Sequence, residues 1–276
     1  DDETSFLSKK NISKYALNNF KLSAEKADKK NKFIGINGYI KRKILKKINP
    51  LIKKKIFYIE PKNVNKITNF DIDIFNQNFA NEAYLEGYFE TEKYFKDFRD
   101  ILLKEFSFID EDIYRKSVFY NQLIKENSVS ICLRQNRFIE GKNHKNPNLI
   151  KLSNQFRDEQ IKYINKSINF IEKKIKKPTF FLWSNDLHNI DMTKFKSNII
   201  KIDHDSNVNN LDRRALDLYL ISQCNHHITI PSSFNWWGAW LSNRKNGIIC
   251  RPDDNFFSNF YVNNNDFWPP NWINIS

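Results

Sequence analysis

HITIPSSFNWWGAWLS, residues 227 to 242, holds three of the six tryptophans in the 276-residue chain. Its opening run, His227 to Ile230, has the apolar, β-branched composition of a buried strand. Pro231 stops that run, because its nitrogen carries no hydrogen for a ladder. Small hydroxyl residues then open a helix, with Ser232 or Ser233 at the N-cap. A strand that turns straight into a helix start leaves free amides at the carboxyl end of a sheet, where backbone dipoles and short hydroxyl side chains hold a phosphate. The same residues also read as an ordinary capped helix whose tryptophans fill the core.

Working outward, similar short runs recur: VSICLR (129–134), TFFLWS (179–184), NIIKI (198–202) and GIIC (247–250). Each has the composition of a parallel strand buried on both faces. Between the first two, Ile161, Ile164, Ile168, Ile171 and Ile175 recur at intervals of three and four, which predicts one face of a helix ended by Pro178. A second helix is expected over Leu211 to Cys224, with Leu216, Leu220 and Ile221 inward. The alternation predicts an α/β domain, a doubly wound sheet over residues 126–276 whose ligand sits at the carboxyl ends of the strands. The Asn-rich stretches 205–210 and 262–265 read as loops.

Residues 1–125 have a different texture. Basic stretches alternate with aromatic ones, as in KRKILKKINPLIKKKIF (41–57) and AYLEGYFETEKYFKDF (83–98), and the pattern predicts a mainly helical part. Pro50 should end or kink its helix. The 41–57 stretch reads either as a solvated helical face or as contact with an anionic membrane surface.

Composition narrows the partners. Lys plus Arg number 45 against 32 Asp plus Glu, a formal charge of +13. That balance suits an anionic ligand or surface. It also leaves open a basic nucleic-acid-binding module, although no RNA or DNA motif is present and no nucleic acid is expected as a partner. Cys132, Cys224 and Cys250 are odd in number and widely spaced, which suits a reducing cytoplasm. No His, Cys or carboxylate cluster has metal-ligand spacing, so no metal is expected. The CLRQNRF turn (132–138) places Arg134 at the end of a strand on the same sheet edge as Ser232. Its planar fork of donors suits a diphosphate, although a lone Arg there also reads as a surface cation.

Asp217 to Ser242, DLYLISQCNHHITIPSSFNWWGAWLS, resembles the bacterial α-1,2-fucosyltransferases of glycosyltransferase family 11, which carry a closely similar string. FFLWSND (180–186) and YLEGYFETEKYF (84–95) resemble two further family segments. The resemblance implies a GT-B fold of two Rossmann-like halves, with 1–125 as an incomplete acceptor-side part and 126–276 as the nucleotide-sugar domain. It also implies a GDP-fucose donor, inversion at the sugar, a galactoside 2-hydroxyl on a bacterial surface glycan as acceptor, and no metal or other cofactor. The enzyme would be cytoplasmic, with peripheral contact at the inner face of the membrane as a further expectation.

Two departures from the family pattern carry expectations of their own. The family's HxRRxD motif falls on residues 132–137, where Arg134 alone is kept. The chain also starts at what resembles the family's second strand, so an opening strand-helix-strand is expected to be missing and the chain inactive by itself. A degenerate GDP-binding relative without transfer activity is therefore an alternative. Arg134 is the expected catalytic residue. With it, Ser232, Ser233, Phe234, Asp186 and Asp217 are the expected donor-binding residues, the acids as acceptors for guanine N–H groups. Asp217 reads equally as a complement to its helix dipole, and His226 reads as a supporting or packing residue. No general base is legible, and Glu140 and His144 are only nearby.

Overall fold

The computed structural model describes residues 16–28, 31–61, 69–139, 145–203, 211–257 and 266–276. Glu140, His144 and both Asn-rich stretches lie outside those residues. The chain divides into two compact units, residues 1–107 with 265–267, and residues 108–264 with 268–276.

In the first unit, α1 (Gly35–Ile48) is followed by a 3-10 turn at Asn49–Leu51. The helix stops two residues before Pro50, as its missing N–H requires. Strands β1 (Lys55–Ile59) and β2 (Phe79–Glu86) pair in parallel, with the short α2 (Asp73–Asn76) between them and α3 (Arg99–Glu105) after them. Asn49 turns the chain from helix into strand: its Oδ1 accepts from Ile56 N and Phe57 N, and its Nδ2 donates to Phe57 O. Phe33, Phe57 and Tyr84 stack beneath α1 with ring centroids 4.8 to 5.8 Å apart. Within this part, the aromatic stretch 83–98 departs from the helical expectation, because 79–86 is a strand and 92–94 and 96–98 are single 3-10 turns.

The second unit begins with α4 (Glu111–Tyr114) and α5 (Tyr120–Leu123). Sequence texture grouped 108–125 with the first half, but Phe108 packs edge-on and Tyr114 tilted against Tyr219, with centroids 5.3 and 5.4 Å away. Those rings belong to the larger core. The sheet comprises β3 (Ser128–Leu133), β4 (Thr179–Ser184), β5 (Ile199–Lys201), β6 (His226–Ile228), β7 (Ile249–Pro252) and β8 (Ile273–Ile275). All its pairings are parallel, in the order β5-β4-β3-β6-β7-β8. Counted from its own first strand, this is the three-two-one-four-five-six order of a Rossmann sheet. Every residue of β3 is buried, as a central parallel strand covered on both faces must be.

Three helices complete the frame: α6 (Pro147–Glu172), α7 (Arg213–Gln223) and α8 (Ser233–Trp240). The isoleucines of α6 are inside as the spacing predicts. Its first turn is capped by Asn146, whose side chain accepts from the amides of Asn148 and Leu149, with Pro147 at the start. The helix ends at Glu172, earlier than Pro178, because Lys174 N and Ile175 N both turn back onto Ile171 O and Lys177 takes a positive φ of 50°. Gly238 permits the close approach of α8 to α7, since a Cβ there would lie 2.5 Å from Ile221 Cγ2.

A histidine buried within the sheet has a consequence for stability. Ser130 Oγ lies 2.7 Å from His227 Nδ1, both residues are fully buried, and His227 Nε2 has no hydrogen-bond partner among the described residues. Burial, with the neighbouring His226 adding to it, pushes the His227 pKa down to about 3 from an ordinary 6.5. The depressed value means that the unfolded chain takes up the proton first. His227 therefore costs nothing above pH 6.5, and as pH falls from there towards 3 it should remove about 1.4 kcal/mol of stability per pH unit. Urea unfolding between pH 7 and 4.5 should show this slope, and His227→Gln should flatten it by one proton. An unchanged slope would mean that another group carries the acid sensitivity.

Candidate functional site

The sheet changes direction between β3 and β6. From β3 the chain moves outward through β4 and β5, then returns to the other side of β3 and continues through β6, β7 and β8. Helices therefore leave the two central strands on opposite faces, and a crevice opens beyond their carboxyl ends. The residues after β3 are Arg134 to Phe138, and those after β6 are Thr229 to Ser233. The two punctuated turns singled out in the sequence thus flank the switch point.

Each turn is held by buried amides. Gln160, fully buried on α6, takes the Arg134 N–H on its Oε1 and donates its Nε2 to the Arg134 carbonyl, both at 2.9 Å. This clamp fixes the backbone of Arg134 and leaves its side chain half-buried at the sheet edge. Ser153, also on α6, accepts from Phe138 N at 3.0 Å. Gln135 is stitched to the turn after β4: its N–H donates to Asn185 Oδ1, its carbonyl accepts from Asn185 Nδ2, and its Nε2 donates to the Asp186 carbonyl at 2.5 Å. The Asp186 carboxylate accepts from Asn189 Nδ2 through both oxygens.

On the β6 side, Asn235 reaches back from α8. Its Oδ1 accepts from Ile230 N at 2.7 Å and its Nδ2 donates to Cys132 Sγ at 3.0 Å, so one buried side chain joins β3, the turn after β6 and α8. Arg137 crosses between the turns, donating from Nη1 to Pro231 O while its guanidinium lies 4.7 Å from the Phe156 ring centroid. Ser232 occupies the N-cap with extended φ and ψ of −152° and 126°, but its hydroxyl makes no cap bond. The first helical bond runs from Trp236 N to Ser232 O. The amides of Ser233, Phe234 and Asn235 precede it, and Ser233 and Phe234 are exposed.

Arg134, Asp186, Ser232, Ser233 and Phe234 therefore share the carboxyl edge of the sheet. Asp217 lies on α7, half-buried; burial first and its charge second push the Cys132 thiol up from its ordinary value. His226 is elsewhere. It leads β6 at the amino edge, where Nε2 meets Glu126 O at 2.9 Å and Nδ1 accepts from Ile248 N. Burial lowers its pKa, and both ring nitrogens are engaged in packing the strand. Gln160 and Asn235 were not singled out from the sequence, and Gln135 and Arg137 stood out only as departures from the family motif. The available signal was a lone amide on an otherwise apolar helix face, as at Gln160 between Phe156 and Ile164. Among the described residues no group of three or more His, Cys, Asp or Glu side chains is placed to hold a metal ion, and no helix is long and apolar enough to cross a membrane.

Comparison with known proteins agrees with this frame. The model of glycosyl transferase family 11 matches residues 31–276. The chain is 27% identical over 190 residues to an α-1,2-colitosyltransferase of Escherichia coli, covering 68% of this chain and 61% of that relative. It is 24% identical over 278 residues to the O-antigen biosynthesis glycosyltransferase WbnK of Escherichia coli, covering 95% of this chain and 84% of the relative. The chain thus spans about three fifths of the length of the first of these relatives. No solved structure matches significantly. With its matched span running from α1 to the last strand, the chain belongs to glycosyltransferase family 11.

Proposed function

We propose that this chain carries the donor-binding site of an inverting glycosyltransferase that moves fucose from GDP-fucose to the 2-hydroxyl of a galactoside in a bacterial surface glycan. The observation that carries the reading is the placement of Arg134 and the α8 amino terminus on either side of the β3/β6 switch point. Breaking the bond between sugar and diphosphate builds negative charge on the β-phosphate and oxocarbenium character on the sugar. Cationic and N–H donors at this edge stabilise that leaving group. Arg134 grips the diphosphate, the amides and hydroxyls of Ser232, Ser233 and Phe234 hold the β-phosphate, and Asp186 and Asp217 are the acceptors available to guanine N–H groups. Transfer proceeds without a metal. The parallel β1–β2 pair of the first unit supports a GT-B arrangement with a second Rossmann-like half.

The similarity to an α-1,2-colitosyltransferase makes colitose a second donor sugar for the test. Thermal melting with GDP, GDP-fucose, GDP-colitose and UDP at about 100 times Kd should show stabilisation by about 2.7 kcal/mol for the guanine nucleotides only. Transfer to a galactoside should persist in EDTA. A melt shifted by UDP and not by GDP overturns the donor, and EDTA loss restored by a divalent ion overturns metal independence. A GDP shift with no turnover from any donor would identify a binding relative.

A further inference from the structure

Helix α1 is turned inside out. An amphipathic helix on a protein surface normally buries its apolar stripe and exposes its charges. Here the inward side carries Arg42 and Lys46, each 2.6 Å from a carboxylate oxygen of Glu86 on β2. Burial alone would raise the Glu86 pKa, but the two cations hold it below its ordinary value. Lys46 also lies 5.9 Å from the Phe57 ring centroid, and Gly38 sits directly against the Phe33 backbone. The isoleucines face the other way. Ile36, Ile40, Ile44 and Ile48 follow one another at intervals of four along the outer side, with Ile36 65%, Ile44 55% and the following Leu51 85% exposed. Tyr39 and Ile34 extend the same exposed surface.

The charges around this stripe have a single sign. Helix α1 contains no acidic residue. With Arg42 and Lys46 committed to Glu86, Lys41 is left on one side of the stripe and Lys43 and Lys47 on the other, all exposed. An apolar stripe about 20 Å long, edged by exposed lysines, combines the two attractions that hold a helix at an anionic bilayer: burial of side chains below the headgroups and Coulomb attraction to the headgroups themselves. A protein partner would satisfy the isoleucines, but the uniform positive edge selects a negatively charged surface.

We propose that α1 docks this chain onto anionic lipid through Ile36, Ile40, Ile44 and Ile48, with Lys41, Lys43 and Lys47 at the headgroups. The proposal is independent of the donor site, because none of these residues belongs to the second unit. It is tested by co-sedimentation of the whole chain with vesicles of phosphatidylcholine containing about one third phosphatidylglycerol, against vesicles of phosphatidylcholine alone. The wild-type chain should bind the anionic vesicles and be released by about 0.5 M salt. Lys41→Gln, Lys43→Gln and Lys47→Gln together should weaken binding by about 100-fold, roughly fivefold for each lysine near the surface. Ile36→Ser, Ile40→Ser and Ile44→Ser together should abolish binding while keeping the melting temperature, since these side chains are exposed. Equal binding to both kinds of vesicle, or undiminished binding by the isoleucine variant, overturns the proposal. So does a wild-type chain that ignores the vesicles and sediments as a dimer which the isoleucine variant dissolves; the stripe would then be a contact between copies.

Discussion

Replacing Arg134 by alanine is expected to reduce sugar transfer by about 100- to 1,000-fold, the loss of about 2.7 to 4 kcal/mol of leaving-group stabilisation found when one preorganised donor is removed. The expectation rests on position and chemistry together. Arg134 follows the central strand at the point where the sheet reverses, opposite the exposed start of α8. Its backbone is fixed on both sides by Gln160, and that clamp does not depend on the arginine side chain. The melting temperature should therefore stay close to wild type while turnover falls. Arg134→Lys should recover little, because the point charge lacks the planar fork that grips two phosphate oxygens at once. Single-turnover transfer with saturating GDP-fucose measures the effect. Wild-type turnover in Arg134→Ala would move the site away from this edge.

Arg137 is a useful contrast. It departs from the family pattern, yet it bonds the Pro231 carbonyl and covers Phe156, so it ties the turns after β3 and β6 together. Its loss should register in melting as well as in turnover.

The second large effect is expected at Asn235. Asn235→Ala should destabilise the chain by about 3 kcal/mol, the cost of leaving the buried Ile230 N–H without an acceptor together with a small cavity. A loss of that size lowers Tm by roughly 6 to 12 °C in a chain of this length. The turn from β6 into α8 is the part released, so affinity for GDP should fall as well. Calorimetry and GDP titration of the same variant separate the two readouts. An unchanged Tm would mean that the Ile230 amide finds another acceptor. A lowered Tm with intact GDP affinity would mean that the phosphates are held elsewhere.

The central strands β3, β4 and β6 were legible because they are buried along almost their whole length, and such strands write themselves as short apolar runs, whereas the three-residue β8, with Asn274 exposed, was not read from the sequence. SVSICL and TFFLWS have no other good reading. β2 was not legible for the complementary reason: FANEAYLE carries Ala, Leu and two Glu, all good helix formers, and is largely exposed. Only its pairing with β1, more than twenty residues upstream, makes it a strand. The site divides in the same way. Arg134, Ser232 and Ser233 stand out because polar residues punctuate apolar runs where strands end. Gln160 and Asn235 do not, since a lone amide within an apolar helix signals burial without naming the group that it serves. The partner of Asn235 Nδ2 is a thiol 103 residues away.

The central place of β3 also orders the events of folding. Its pairing with β4 closes a segment about fifty residues long, whereas its pairing with β6 joins Ser130 to His227 across 97 residues. On a ribosome, β3, α6, β4 and β5 can assemble while β6 is still being made. During that interval one edge of the apolar strand SVSICL lies open, with its amides and carbonyls unpaired. The long crossover that creates the crevice at the switch point therefore also creates a window of vulnerability to aggregation, which closes only when His226 to Ile228 arrive.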